Sequence, residues 1–236
     1  MRRRSLIRLA AAALGTALTS ACRSKLQEVL PASLTESEAR YLESRERMLQ
    51  RFGRPGFELV VDAIAGQEFL GVEFFPEYAK HSFYRAGRQT LRSQAKMMLS
   101  QPVPERARIL WRDASDRHFI EGVGSRYVGN ILGDKTIEVG SRIPQELIDD
   151  LKRDPRGNLR LKFRMSKDST LFGWDIQRRP GYDPSLRDPQ GRHIHFPAVH
   201  SFAGGDFREA EIVNGKVLRK GWYIHPRTGQ RIETDY

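Results

Sequence analysis

Three of the six histidines lie within eight residues of each other, at His193, His195 and His200. Residues two apart point to the same side of a strand, so His193 and His195 could hold one zinc ion, with His200 as a third ligand. Such a site leaves a coordination position open for water, which is the arrangement of a metal-dependent hydrolase. The sequence around Pro197 lacks a regular strand pattern, and the alternative is that these histidines are exposed loop side chains.

The carboxylates that follow the histidine cluster could supply acid–base chemistry. Asp206, Glu209 and Glu211 lie close together in the sequence. Glu209 and Glu211 would share one strand face beside a basic hairpin, so we favour cross-strand pairing of these two with Lys or Arg. The Gly-rich stretch 122–129 resembles a dinucleotide-binding loop, but Tyr127 occupies the position of the third glycine.

A candidate binding surface combines cationic side chains on one predicted strand with cationic and aromatic side chains on the strand that returns beside it. Its members are Arg160, Lys162, Arg164, Trp174, Arg178, Arg179 and Tyr182. Arg, Trp and Tyr dominate protein–protein hot spots because they bury a large area and form well-directed hydrogen bonds. The alternative is that Trp174 belongs to the core and that the arginines form a solvated face.

The single cysteine, Cys22, follows a segment typical of bacterial export signals. Residues 2–8 contain four arginines, and an uncharged run continues to Ala21. The run is too short and too weakly apolar to span a bilayer, so it predicts a processed leader over residues 1–21. The arginine cluster resembles the motif for twin-arginine export, which carries proteins that have already folded.

The residues around Cys22 also resemble a lipoprotein processing box. In Leu18-Thr19-Ser20-Ala21-Cys22, the small residues would admit the peptidase, and the Cys22 sulfur would take the lipid, including palmitate-type acyl chains. Because Thr19 is not the usual residue at its position, a plain secretory signal is the alternative. Arg23 stands where aspartate would retain a lipoprotein in the inner membrane. By resemblance, we expect a periplasmic protein on the inner leaflet of the outer membrane.

Composition narrows the classes of partner. The 236 residues include 40 basic and 29 acidic side chains, and removal of residues 1–21 leaves 36 basic and 29 acidic, a net charge of +7. In the periplasm, the expected counter-charges are anionic lipids, lipopolysaccharide or an acidic protein, rather than nucleic acid. One cysteine excludes an internal disulfide and four-cysteine zinc sites.

Helix signals occur at three places. The capping box of Thr35 and Glu38 starts a helix that ends at Gly53. Apolar spacing predicts a second helix over residues 85–100, and Pro144 starts a short third one.

Strand signals dominate the remainder. Residues 57–65 and 71–75 predict two strands that pair with each other, and residues 107–112 and 126–132 predict two more. Residues 159–165 alternate apolar with cationic side chains and predict a hairpin with residues 172–176.

The C-terminal part of the chain predicts a loop followed by further hairpins. Residues 182–203 show no period and predict a long loop. Asn214-Gly215 predicts a hairpin between residues 209–213 and 216–223. The chain then closes with a turn at residues 225–229 and a short final strand.

These elements predict an α+β fold, with a mainly antiparallel sheet built of hairpins and two or three helices. Residues 1–21 are the export signal, residues 22–33 the lipidated cysteine and its tether, and residues 34–236 a single α+β globular domain.

Three blocks of sequence carry a family resemblance. They begin with Gly173-Trp174-Asp175-Ile176, continue to residue 182, and resume over residues 204–211 and 221–226. Together with the leader, these blocks resemble small periplasmic lipoproteins that serve as immunity proteins for type VI secretion lipase effectors. The resemblance implies a stoichiometric protein inhibitor of a secreted phospholipase, anchored to the membrane through lipid, with no catalytic residue and no cofactor. It carries over no individual functional residue.

Two other functions stay open. One is a metal-dependent periplasmic hydrolase that uses the histidine cluster and zinc. The other is an envelope-maintenance lipoprotein that binds peptidoglycan or lipopolysaccharide through its basic face.

Overall fold

A computed structural model of the chain describes residues 36–91, 95–122, 124–154, 157–167, 169–178, 199–213 and 215–236. The leader, Cys22 and the predicted tether lie outside the described residues. The chain divides into two compact units, Met1–Glu43 and Ser44–Tyr236. Of the first unit, the described residues are 36–43. Within the described ranges, no helix is both long and apolar enough to cross a lipid bilayer.

The helices of the described residues are α1 (Glu36–Phe52) and α2 (Gln145–Arg153), with a 3₁₀ turn at Gly140–Arg142. The strands are β1 (Gly56–Ala63), β2 (Phe69–Pro76), β3 (Tyr84–Gln89), β4 (Ala95–Pro102), β5 (Arg106–Arg112), β6 (Arg117–Ile120), β7 (Gly124–Tyr127), β8 (Ile131–Glu138), β9 (Gly157–Met165), β10 (Thr170–Arg178), β11 (Val199–Gly205), β12 (Phe207–Arg208), β13 (Glu211–Val213), β14 (Lys216–Arg219), β15 (Gly221–Ile224) and β16 (Arg231–Thr234).

Two larger sheets organise the second unit. One has the strand order β11-β10-β9-β1-β4, in which β1 and β9 are parallel and the other neighbours are antiparallel. The other is antiparallel throughout, with the order β3-β2-β5-β8. Smaller antiparallel sheets are formed by β12-β15-β16, by β13-β14 and by β6-β7. The predicted fold class, α+β with mainly antiparallel sheet, is confirmed.

The main core lies between these two sheets. Alternate residues of β1 and β9, such as Leu59 and Phe163, are fully buried and belong to one apolar cluster with Phe74 and Ile109 of the other sheet. The rings of Phe74 and Phe163 are 5.2 Å apart between centroids. This packing uses one face of β1 and β9, and their opposite face carries the charged residues described below.

The predicted helix over residues 85–100 is wrong. Strand β3 pairs with β2, and strand β4 pairs with the edge of β1, with Met97 opposite Leu59. The apolar spacing fitted a helix, but each segment is an edge strand whose backbone groups pair with β1 or β2 on one side, and such tertiary context overrides weak local propensity.

The predicted pairing of residues 57–65 with 71–75 is also wrong, although both segments are strands. β1 lies between β4 and β9, whereas β2 lies between β3 and β5 in the other sheet. The predicted strand over residues 126–132 is divided between β7 and β8 by Gly129, whose φ is 114°.

The C-terminal predictions have mixed outcomes. The hairpin of β9 and β10 forms as predicted, with Phe163 opposite Phe172. The end of the predicted loop 182–203 is strand β11, and residues 182–198 lie outside the described residues. The strand predicted to follow Gly215 is divided into β14 and β15.

Candidate functional site

The face of β1, β9 and β10 that points away from the core carries a layer of charged side chains. The charged layer consists of Glu58, Asp62, Arg160, Lys162, Arg164, Asp175 and Glu209. The strand register sets its order, because Arg160 of β9 lies between Glu58 of β1 and Asp175 of β10. Glu209 joins from the segment after β12.

The three cations of the charged layer are buried. The side chains of Arg160 and Arg164 are each 3% exposed and that of Lys162 is 2% exposed. The alternation in β9 is as predicted, but the solvated or partner-accessible face expected for its cationic side chains is not what the structure shows. A partner could reach them only by displacing the residues that cover them. Acids on the neighbouring strands and the small sheet of β12, β15 and β16 account for this burial.

Arg164 and Asp62 form one half of the charged layer. The guanidinium of Arg164 donates two hydrogen bonds to the Asp62 carboxylate, of 2.9 and 2.7 Å. The ring centroid of Phe207 lies 4.4 Å from the Arg164 guanidinium carbon, and that of Tyr236 lies 5.6 Å from it. Phe207 also packs with Ile64 in a small second core. The ion pair is thus enclosed by aromatic rings and kept from water.

The other half of the charged layer surrounds Asp175. Arg160 donates hydrogen bonds of 2.6 Å to each Asp175 oxygen, and the Lys162 ammonium lies 3.0 Å from Oδ2. The Glu209 carboxylate, 25% exposed, lies 3.2 Å from Arg160 Nη2 and 3.5 Å from Lys162 Nζ. Two buried cations therefore share two carboxylates.

The pKa of Asp62, in one half of the charged layer, shifts in the opposite direction from the pKa values of Asp175 and Glu209, in the other half. Burial raises the pKa of Asp62, and the hydrogen bonds and charge of Arg164 only partly offset this effect. Burial also acts to raise the pKa of Asp175, but the hydrogen bonds from Arg160 and the charges of Lys162 and Arg160 outweigh it and hold that pKa well below its usual range. The pKa of Glu209 is likewise lowered, because Lys162 and Arg160 overcome the cost of its burial.

His200 stands at the border of the charged layer. Its Nδ1 lies 2.9 Å from Arg160 Nη2 and 3.6 Å from Asp175 Oδ2, and its side chain is 38% exposed. With Nδ1 accepting from the guanidinium, the ring proton is assigned to Nε2. His193 and His195 lie outside the described residues, and no group of three or more His, Cys, Asp or Glu side chains within those residues is arranged to hold a metal ion. The zinc site stays a prediction.

The three carboxylates considered for acid–base chemistry belong to separate ion pairs. Asp206 accepts hydrogen bonds of 3.2 and 2.6 Å from Arg142 and one of 2.9 Å from the Phe172 backbone N–H. Glu209 belongs to the charged layer. Glu211 lies 3.0 Å from Arg219, its cross-strand partner in the hairpin of β13 and β14. The structure does not bring them together as one set.

The remaining residues of the predicted binding surface are distributed differently. Trp174 is 9% exposed and packs in the core beside Phe172, with ring centroids 5.5 Å apart. Arg178 is 21% exposed and lies 2.5 Å from Asp150 and 3.2 Å from Asp154, so it ties the end of β10 to α2. Arg179 and Tyr182 lie outside the described residues.

Two hairpins carry exposed apolar side chains that the sequence analysis did not select. On β6, Phe119 is 77% exposed and Ile120 is 47% exposed. The hairpin of β13 and β14 exposes Ile212, Val213, Val217 and Leu218 by 39–63%. Each hairpin consists of short strands beside a turn that contains glycine. Its strands carry apolar residues, and no second apolar segment of the described chain covers those residues. This pattern is the sequence signal that could have identified both hairpins.

Comparisons with models of protein families, with curated proteins and with solved structures find no match to this chain. The charged layer and the two hairpins therefore have to be interpreted from their own geometry. In the charged layer, the described acids and bases are engaged with one another in a buried network, which suits a structural role in joining β1, β9 and β10 to the small sheet. Exposed apolar hairpins suit contact with another surface.

Proposed function

We propose that this chain is a lipid-anchored periplasmic binding protein that neutralises a secreted lipase by direct contact, in the manner of the immunity proteins it resembles. The leader and Cys22 support the location, and the sequence blocks around Trp174 and Glu209 support the kinship. The observation that carries a binding role is Phe119, the most exposed large hydrophobic side chain among the described residues.

The residues of the resemblance serve the fold in this structure. Asp175 and Glu209 belong to the charged layer, and Phe207 covers it. Gly205 has a φ of 103°, and a Cβ there would lie 2.3 Å from the Phe172 carbonyl oxygen. Such residues would maintain a scaffold, and the partner-specific contacts would come from other surfaces.

The hairpin of β6 and β7 is the contact surface that we assign to the lipase. Tyr127 is buried, and Arg117 donates a hydrogen bond of 2.7 Å to its hydroxyl while stacking 4.8 Å from its ring centroid. These contacts fix the base of the hairpin, whereas Phe119 and Ile120 point outward. An aromatic anchor on a preorganised support loses little entropy on binding.

Charge and tethering favour such an encounter. Arg117 and Arg126 of this hairpin are balanced by Asp116 and Glu121. The net positive charge of the whole chain accelerates association with an acidic partner. A lipid anchor at Cys22 would raise the concentration of the inhibitor at the surface that a phospholipase must reach.

The test uses a secreted lipase encoded beside this gene, with the full-length protein in detergent, and the absence of such a lipase counts against the proposal. We expect stoichiometric inhibition and a Kd that Phe119→Asp weakens by about 30-fold or more, as for a hot-spot residue. Leu132→Asp is the matched control, because Leu132 is 64% exposed on β8. A neighbouring lipase that neither binds nor is inhibited would overturn the proposal, and equal effects of the two variants would overturn the assigned surface.

A further inference from the structure

The hairpin of β13 and β14, here called the apolar hairpin (residues 211–219), exposes aliphatic side chains on both of its faces. Ile212 lies opposite Val217 across the hairpin, so these two share one face. Val213 follows Ile212 and points to the other face. The exposed fractions are 39% for Ile212, 41% for Val217 and 43% for Val213, and Leu218, the extra residue of a β-bulge, is 63% exposed.

Exposure on both faces favours a lipid surface over a protein surface. A flat protein surface that docks on a two-stranded ribbon covers one of its faces and leaves the other in water. The boundary between lipid headgroups and acyl chains surrounds an inserted ribbon on every side. Three strand residues extend about 10 Å, which matches the depth of about 5–10 Å reached by interfacial segments.

The charges beside the apolar hairpin complement an anionic lipid. Arg219 pairs with Glu211 at 3.0 Å and Lys220 lies 3.6 Å from Glu233, while Lys216 adds a further positive charge at the turn. Long cationic side chains can keep their charged ends at the headgroups while their stems lie along apolar surface. Trp222, on the next strand, is half-buried, and the Arg231 guanidinium lies 4.6 Å from its ring centroid. Trp is enriched at membrane–water interfaces.

We propose that the apolar hairpin inserts into the interface of an anionic phospholipid membrane, with Ile212, Val213, Val217 and Leu218 at the level of the upper acyl chains. This contact is independent of the lipase interaction. It would fix the orientation of the protein on a membrane, which a lipid tether alone would not do.

The test places a tryptophan on the hairpin and measures its depth. Full-length Leu218→Trp that also carries Cys22→Ser, and therefore no lipid anchor, is mixed with vesicles of phosphatidylcholine and phosphatidylglycerol that carry bromine in the upper acyl chains, and the quenching of Cys22→Ser alone is subtracted. Leu132→Trp is the matched control, with a parent side chain 64% exposed against 63% for Leu218. We expect strong quenching at position 218 and little at position 132. Because one net positive charge remains beside the hairpin, binding should weaken by about 5-fold in vesicles of phosphatidylcholine alone.

Three results would overturn the proposal. One is equal quenching at positions 218 and 132. The second is a blue shift of Leu218→Trp that depends on protein concentration without vesicles, which would indicate a second copy of the chain. The third is a blue shift that only the lipase produces, which would place the protein partner on this hairpin. Inhibition of the lipase by Leu218→Trp is measured in parallel, so that loss of lipid contact and loss of the proposed immunity function are distinguished.

Discussion

The carboxylate of Asp175 on β10 accepts two hydrogen bonds of 2.6 Å from the Arg160 guanidinium on β9, and both side chains are at most 3% exposed. The two residues are direct cross-strand partners, so the register of the hairpin places them side by side. Lys162 and Glu209 complete the same network. Buried charges of this kind are costly unless paired, so each member constrains the others.

Replacement of Asp175 by Asn tests the importance of this network for stability. The amide keeps the shape of the carboxylate but leaves Arg160 and Lys162 beside a neutral group. We expect the free energy of unfolding to fall by about 3 kcal/mol, because removal of one partner from a buried ion pair costs about 3–5 kcal/mol. Urea titration at neutral pH measures the change.

The control is the exposed pair of Arg108 and Asp134, whose side chains are 47% and 40% exposed. These groups are hydrogen-bonded at 2.7 and 2.5 Å, so their geometry resembles that of the buried pair. Asp134→Asn should cost less than about 1 kcal/mol, because water screens the attraction. Equal losses for the two variants would contradict the importance assigned to burial.

The two aspartates of the charged layer should give opposite pH dependences. Because the pKa of Asp175 is held below its ordinary value of 3.8, the unfolded chain binds a proton there before the folded protein does. The stability that Asp175 provides is present above pH 3.8 and is lost as the pH falls below it. The stability difference between the parent protein and Asp175→Asn should therefore shrink on acidification.

For Asp62 the sign is reversed. Its pKa is raised above 3.8 by burial, so the folded protein binds the proton first. The stability of the parent relative to Asp62→Asn should rise as the pH falls from neutral towards 3.8. Urea titrations of the parent and both variants measure the two slopes, above pH 3.8 for Asp62 and below it for Asp175. Slopes of the same sign would refute the assigned environments.

The sequence predicted the alternation of β9 but not its burial. Side chains two residues apart in a strand point to the same face, so the sequence alone shows that Arg160, Lys162 and Arg164 share one face of β9. It does not show what covers that face. Asp175 is local to this face, on the return strand of the hairpin, but two other acids are distant, since Asp62 precedes Arg164 by 102 residues and Glu209 follows Arg160 by 49. Nothing local to β9 indicates that these acids converge on it.

The same limit explains the errors in strand pairing. The sequence located β1 and β2 but assigned them to each other because they are close in the chain. The actual partners of β1 and β2 depend on which strand faces are apolar and pack into the core from either side. The parallel neighbour of β1 is β9, which lies about a hundred residues away in the sequence. Local hairpins such as β9 with β10, and β13 with β14, depend only on short turns and were predicted.

Gly205 provides a test of the junction between β10 and β12. It has a φ of 103°, and an added Cβ would meet the Phe172 carbonyl oxygen at 2.3 Å and Gly173 Cα at 2.6 Å. We expect Gly205→Ala to destabilise the protein by about 3 kcal/mol or more, from strain and forced displacement of the strand.

Gly229→Ala is the control, because Gly229 has a φ of 69° with nothing within 4 Å of the added Cβ. Its cost should be about 1–2 kcal/mol. Similar thermal shifts for both would argue against a tight junction.

Lipidation of Cys22 is tested in cells. Cys22→Ser removes the only thiol in the chain, so we expect loss of labelled palmitate from the protein and its release into the soluble periplasmic fraction. Ser20→Ala, also in the processing box, keeps a small residue and should leave labelling intact. Acylation that persists without Cys22, or retention of an unprocessed leader in the parent protein, would refute the anchor.

The zinc hypothesis makes a separate prediction about His200. Its Nδ1 already lies 2.9 Å from Arg160 Nη2 and beside Asp175. If His200 serves the charged layer, His200→Ala should lower the free energy of unfolding by about 1 kcal/mol, the usual contribution of one hydrogen bond.

We expect protein purified without a histidine tag to hold no stoichiometric zinc by elemental analysis. Near-stoichiometric zinc that is lost in His193→Ala/His195→Ala would refute the pure binding function and favour the hydrolase, because two histidines two residues apart would then be ligands.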